Sequence, residues 1–185
     1  MTQQLLKDSQ DKMDNTLKVL ENQLAGIRTG KASPALVENI QVPYYGAPTR
    51  MRDLANISTP EARLIVISPF DPTVLGEITR SILAANIGVT PQNDGRVVRV
   101  PVPELSEERR KEMAKVAARD GEEAKVAIRN VRRDYNDNAK KLQKDGKISE
   151  DDLKSVLEKI QKATDRAIEK TDALVKAKEA EVAHV

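Results

Sequence analysis

The chain has 185 residues, 32% of them charged, and a formal net charge of only +2. The whole-molecule field is therefore weak, and any pull on nucleic acid must come from where the basic residues lie. Cysteine is absent and the one histidine, His184, stands next to the last residue, where a solvated tail residue is expected; this removes disulfides, thiolate metal sites and most nucleophile–base pairs. No metal and no cofactor is expected.

The chain opens Met1-Thr2-Gln3-Gln4-Leu5-Leu6-Lys7-Asp8, without a basic region leading into an apolar stretch. No apolar run approaches the roughly 18 residues of a membrane span. The expectation is a soluble cytoplasmic protein with no membrane contact. From Leu6, apolar residues recur at Met13, Leu17, Leu20, Leu24 and Ile27, in steps of 7, 4, 3, 4 and 3. That spacing is a heptad seam on a helix. Gly30 suits a position past its end, where a left-handed conformation is cheap.

Residues 31–104 read differently. Eight of the nine prolines fall between residues 43 and 103, with Pro34 just before them, so no long helix can cross the region. Val37 to Val42 is a candidate strand, followed by a turn at Tyr44-Tyr45-Gly46-Ala47-Pro48. Arg63 to Ser68 and Arg96 to Val102 are β-branched and strand-like. Between Asp71 and Asn86 the pattern predicts an amphipathic helix with Asp71 as N-cap, Pro72 at the first position and Val74, Leu75, Ile78 and Ile82 inward. Gln92-Asn93-Asp94-Gly95 carries hairpin-turn chemistry.

Helical periodicity then returns. Met113, Ala117, Ala124, Ile128, Val131, Tyr135 and Leu142 share one face of a second helix, which begins at Ser106 and ends before Gly146. At 1.5 Å per residue it would be about 60 Å long. Gly121 lies inside it, at a cost of about 1 kcal/mol against alanine, so a continuous but locally weakened helix is expected. Ser149 caps a third helix, with Asp152 placed as in a capping box. Its inner face is Leu153, Leu157, Ile160, Thr164, Ala167, Thr171 and Leu174. A lone amphipathic helix is marginal in water, so the first helix needs the other two. The expected architecture is α+β: an elongated three-helix bundle from residues 1–30 and 105–185, with a small β/α/β domain, 31–104, inserted into it. Two crossings join the parts, near Gly30-Lys31-Ala32-Ser33-Pro34 and between Val100 and Leu105, the second including Pro101 and Pro103. They form a paired hinge.

At roughly 100° per residue the second helix places Lys125, Arg129, Arg132 and Asn136 in one stripe, with Arg133 and Lys140 beside it. Spacing alone allows a solvated face with local pairs such as Arg133 with Asp137. It also allows a phosphate-binding stripe, since guanidinium forks engage phosphate bidentately. Arg28, and Arg109-Arg110 near the helix start, would extend it. The aromatic residues are Tyr44, Tyr45, Phe70 and Tyr135, none within a basic cluster. Folded RNA bound through its backbone therefore fits better than base-by-base reading.

Arg28 to Leu36, Tyr44 to Thr49, Ile67 to Pro72, Pro91 to Gly95, Glu107 to Lys111 and Ala124 to Asp134 together resemble the motifs of the ribosome recycling factors, in order and over essentially the whole chain. The resemblance implies an L-shaped, tRNA-like molecule and no enzymatic activity of its own. It implies a task after translation termination: binding the ribosome and, with elongation factor G and GTP, separating its subunits to release mRNA and tRNA. It implies that the bundle lies on large-subunit ribosomal RNA, with Arg129 and Arg132 as the main contacts and Arg28, Arg110 and Arg133 behind them. The factor is expected to act as a monomer. The sequence departs from the family at Lys31, where arginine is common; at Arg50-Met51, where a Pro-Leu pair is usual; and at Gly121, which replaces a better helix former and suggests a softer bundle. The alternative is a helical adaptor or structural protein without an RNA role. A hydrolase reading fails on its own residues: Glu107-Glu108 and Asp151-Asp152 sit in first helical turns, where carboxylates stabilise the helix end. Gly26 and Gly30 do not make a phosphate-binding loop.

Overall fold

Proline is absent before Pro34 and after Pro103, and long helices form at both ends of the chain. The structure, a computed structural model, describes residues 1–183; His184 lies outside the described residues. Helix α1 spans Thr2–Ala25. The middle holds strands β1 (Gln41–Tyr44) and β2 (Ala47–Arg50), a one-turn helix α2 (Met51–Leu54), and strands β3 (Ala55–Glu61) and β4 (Leu64–Pro69). Helix α3 (Leu75–Ala85) and strands β5 (Gln92–Asn93) and β6 (Val98–Pro101) follow, and α4 (Glu107–Lys144) and α5 (Glu150–Ala183) complete the described chain. The chain divides into two compact units, Met1–Ile27 with Lys111–Ala183, and Arg28–Arg110. The second is wider than the expected 31–104. On the early side Arg28 is tied into it: its Nη1 donates to the Ile87 carbonyl at 2.9 Å.

In the first unit the seam of α1 is buried as its spacing requires. Met13, Leu17, Leu20 and Leu24 pack with Ala117, Ala124 and Ile128 of α4 and Ala163 and Ala167 of α5. Ile160 and Val156 pack on Ala139 nearer the α4–α5 turn. The polar core positions Ser9, Thr164 and Thr171 return their hydroxyl protons to the carbonyls of Leu6, Ile160 and Ala167, so none is left unpaired. The turn between α4 and α5 is made by side chains named from the sequence. Gly146 is left-handed (φ 74°), and the Gly146 and Lys147 amides donate to Gln143 and Leu142 at 3.0 and 2.9 Å, a Schellman end. Ser149 and Asp152 then bond each other's amides at 3.0 and 3.2 Å. Gly30 is left-handed too (φ 81°), but it serves the loop; α1 already ends at Ala25, where the Gly26 amide reaches Asn22.

In the second unit β1 and β2 form a hairpin whose turn residues Tyr45 and Gly46 both have positive φ, 49° and 78°. The other strands make one antiparallel sheet in the order β3-β4-β6-β5. Ile65 stands opposite Val100 and Ile67 opposite Val98. The inner face of α3, with Val74 just ahead of it, packs on these four. Asp71 caps the segment through the Thr73 amide at 3.0 Å, with Pro72 first; a 3-10 turn, Pro72–Val74, precedes the α-helix. Asn86, at φ 51°, closes it. Two expectations change. Only the end of Val37–Val42 is strand, because Ser33 caps a 3-10 turn at Pro34–Leu36 and the Val37 and Glu38 amides are spent on the Pro34 carbonyl. The edge strand β3 and the one-turn α2 were not expected; Met51, one of the departures from the family pattern, is fully buried there.

Candidate RNA-binding face

Helix α4 is a single run of 38 residues, about 57 Å long. Ser106 begins it by accepting the Arg109 amide at 3.2 Å. It passes unbroken through Gly121, which is buried; a Cβ there would overlap Val175 Cγ2 of α5. The glycine is thus a point of close helix approach, a different role from the soft spot its propensity suggests.

Along this rod Arg129 and Arg133 are exposed and Arg132 is half-buried at the edge of the bundle face. Among the described residues no carboxylate is paired with any of the three, and the local Arg133–Asp137 pair does not form. Their forks are free for an outside acceptor. Lys125 is not: its ammonium pairs with Asp172 of α5 and with Glu122 at 3.5 Å. The hydrogen bond to Asp172 raises its pKa, against the opposing effect of burial. Sequence periodicity could place Lys125 in the stripe but not reveal a partner 47 positions away on another helix. Asn136 Oδ1 is buried without a partner. Tyr135, on the bundle side, lies under the Lys12 ammonium at 5.4 Å.

The other candidate residues sit in the second unit. Arg28 uses one nitrogen on Ile87, while its Nε and Nη2 are buried without partners; Arg110 Nε is buried likewise. Of the hinge candidates, Lys31 donates its amide to Thr29 Oγ1 at 3.4 Å, and Ala32 donates its amide to Ala62 at 2.7 Å. Ser33 caps the 3-10 turn. Pro101 ends β6 opposite Leu64, and Pro103 is exposed, one residue after the Val102–Arg63 backbone bond. Ala32 and Pro101 are therefore fastened within the second unit, in which Gly30 is buried and Pro103 exposed. Among the described residues no group of three or more His, Asp or Glu is placed to hold a metal ion. No helix among them is long and apolar enough to cross a membrane.

A family model described as ribosome recycling factor matches residues 20–182. The chain belongs to the ribosome recycling factor family. It is 51% identical to the ribosome-recycling factor of Bacillus cereus (strain G9842) over 185 residues, all of both chains, and 49% identical to that of Listeria welshimeri over the same span. Among solved structures it is similar to a solution structure of the ribosome recycling factor, with a TM-score of 0.79 and 37% identity, covering 100% of this chain and 98% of that one. It is also similar to the T. thermophilus ribosome recycling factor placed with E. coli elongation factor G on the E. coli post-termination complex, with a TM-score of 0.67, 38% identity and 98% of both chains covered. The family's members are non-enzymatic translation factors. An α+β fold of long helices and a small antiparallel sheet is common to this chain and to them.

Proposed function

We propose that this chain acts in the cytoplasm after translation termination: it binds the post-termination ribosome and, with elongation factor G and GTP, drives the subunits apart so that mRNA and tRNA leave. Arg129, Arg132 and Arg133 carry this reading, because three guanidinium groups without intramolecular partners on one straight helix are held ready for phosphates. The contact falls on large-subunit ribosomal RNA. Lys125 serves instead to fasten α4 to α5. Arg28 and Arg110, each half-buried with nitrogens that have no partner within the chain, extend the RNA contact from the second unit. The two crossings, Gly30 to Pro34 and Val100 to Leu105, are where the molecule bends.

Light scattering of post-termination ribosomes tests the function. The signal falls only when this protein, elongation factor G and GTP are all present, and a fall without the protein counts against it. Arg132→Ala tests the face: large-subunit binding is lost while the circular dichroism and melting point stay those of the unaltered chain. Unchanged affinity at physiological salt would remove α4 from the contact and leave the adaptor reading.

A further inference from the structure

Helix α5 carries a second column of cations that the α4 stripe does not include. Lys159, Lys162, Arg166 and Lys170 are all exposed. At about 100° per residue they fall within a sector of roughly 80°, and they extend about 16 Å along the helix. None lies within ion-pair distance of a carboxylate among the described residues, whereas Lys125 and Lys178 of the same unit are paired. Along this stretch of α5 the acidic residues Glu158, Asp165, Glu169 and Asp172 fall on the neighbouring sector. Glu158 with Lys162, Lys162 with Asp165 and Arg166 with Glu169 stand at the three- and four-residue spacings of helix ion pairs, worth a few tenths of a kcal/mol each. Among the described residues none of these pairs closes, which leaves four like charges side by side.

The column's place in the bundle sets it apart from the α4 stripe. Asp172 and Val175 of α5 meet Lys125 and Gly121, so that flank of α5 faces α4. Arg166 and Lys170 instead border a groove against α1, about 150 Å³ in volume, with Met13, Leu17, Ala163 and Ala167 as its floor and Gln10 and Asp14 on its far rim. Lys159 borders a separate depression with Thr2, Gln3 and Leu6 of α1 and Asp152, Ser155 and Val156 of its own helix.

We propose that Lys159, Lys162, Arg166 and Lys170 form a second RNA-backbone contact, on the α1 side of the bundle, so that the bundle meets ribosomal RNA on two sides. Successive members are 4.5–6 Å apart along the axis, taking about 1.5 Å per residue. A repeating polyanion matches such a row, and lysine serves it as a point charge. The groove is not what the four share: Lys159 and Lys162 do not line it. Because that sharing falls on the row of charges, RNA backbone is favoured over an acidic protein whose apolar side chain would fill the groove.

This rests on the ribosome-binding reading above, and the two can fail separately. The experiment measures affinity for isolated large subunits, and for protein-free large-subunit RNA, as a function of salt. The variant is K159Q/K162Q/R166Q/K170Q, compared with Arg132→Ala and with E158Q/D165N on the acidic sector. Each phosphate contact contributes about 0.7–0.9 to the slope of log affinity against log salt. The quadruple variant therefore loses about 3 from that slope on both ligands, and the acidic-sector variant loses none. An unchanged slope for the quadruple variant, with Arg132→Ala still weakened, overturns this proposal alone. A loss confined to subunits, absent on protein-free RNA, overturns it in favour of an acidic protein partner. If the unaltered chain itself fails to bind large subunits, the ribosome-binding reading falls; if it binds and neither set of variants weakens it, both faces fall and that reading stands. Because all four positions are exposed and the changes remove like-charge neighbours, the melting point is expected to stay level or rise, and a fall of more than a few degrees calls for single variants read by the same slope.

Discussion

At Gly121 two effects of known size oppose each other. Alanine in place of glycine inside a helix gains about 1 kcal/mol of backbone stability. Yet a Cβ at this position runs into Val175 Cγ2, and overpacking a fitted contact costs about 1–3 kcal/mol. The contact wins, so Gly121→Ala lowers the midpoint of urea unfolding despite its better propensity, and Val175→Ala in the same chain restores part of the loss. A higher midpoint for the single variant would mean the helices have room to separate. Charge at a turn gives a second residue-level test. Asp94 accepts the amides of Val97 and Arg96 at 2.8 and 2.9 Å, and these bonds, that to Val97 foremost, hold its pKa below the ordinary 3.8, helped by nearby Arg99. A carboxyl whose folded pKa is depressed stabilises the fold above its unfolded value, and that contribution is lost as pH falls through the folded value. Asp94→Asn keeps an oxygen acceptor but not the charge. It is therefore less stable than the parent at pH 7, and the gap closes as the pH drops below 3.8. A gap of constant size from pH 7 to pH 2 would show that charge is not what the turn uses.

At the scale of single elements, the α4–α5 turn is specified by Gly146, Ser149 and Asp152. Removing an N-cap hydroxyl costs about 1 kcal/mol. A side chain at a left-handed position costs roughly 1–2 kcal/mol. Ser149→Ala and Gly146→Ala should each lower the melting point by a few degrees, and because they act on one turn their effects need not add. Melting points unchanged by both would mean that bundle packing alone sets the turn. These caps were legible in the sequence because their chemistry is local: donor and acceptor lie within five residues of each other. The α1 seam and the inner face of α3 were legible for the same reason, since a periodic apolar pattern does not need to know what covers it. What failed was longer in range or weaker in pattern. Val37–Val42 looks like a strand residue by residue, but the Ser33-Pro34 turn ahead of it spends the amides that a strand would use. Strand β3 is an edge strand, largely exposed after Ala55, with no alternation to read. Of the candidate site, the arginines of α4 could be named from spacing, but the commitment of Lys125 to Asp172 and the partial burial of Arg28 and Arg110 depend on neighbours that only folding brings near.

At the scale of the whole molecule, the two units are closed in different ways. Every member of the second unit's core, from Val37 through Ile65 and Ile82 to Val102, comes from within Arg28–Arg110, as do all the strands of its sheets. The first unit needs both ends of the chain, because within it the seam of α1 is covered by α4 and α5. Residues 28–110 expressed alone should therefore fold, giving a dispersed amide spectrum and a cooperative melt. Residues 1–27 joined to 111–185 through a Gly-Ser linker should form a helical bundle that melts cooperatively. The same division separates grip from work, given the proposed function. The free arginines of α4 belong to the bundle, so the joined bundle should bind large subunits within about tenfold of the intact chain, a difference of about 1.4 kcal/mol. It should nevertheless produce no drop in light scattering with post-termination ribosomes, elongation factor G and GTP, since the inserted unit through which the partner's energy would act is gone. Subunit splitting by the bundle alone, at a rate near that of the intact chain, would show that the inserted unit contributes nothing to separation and that gripping the RNA suffices.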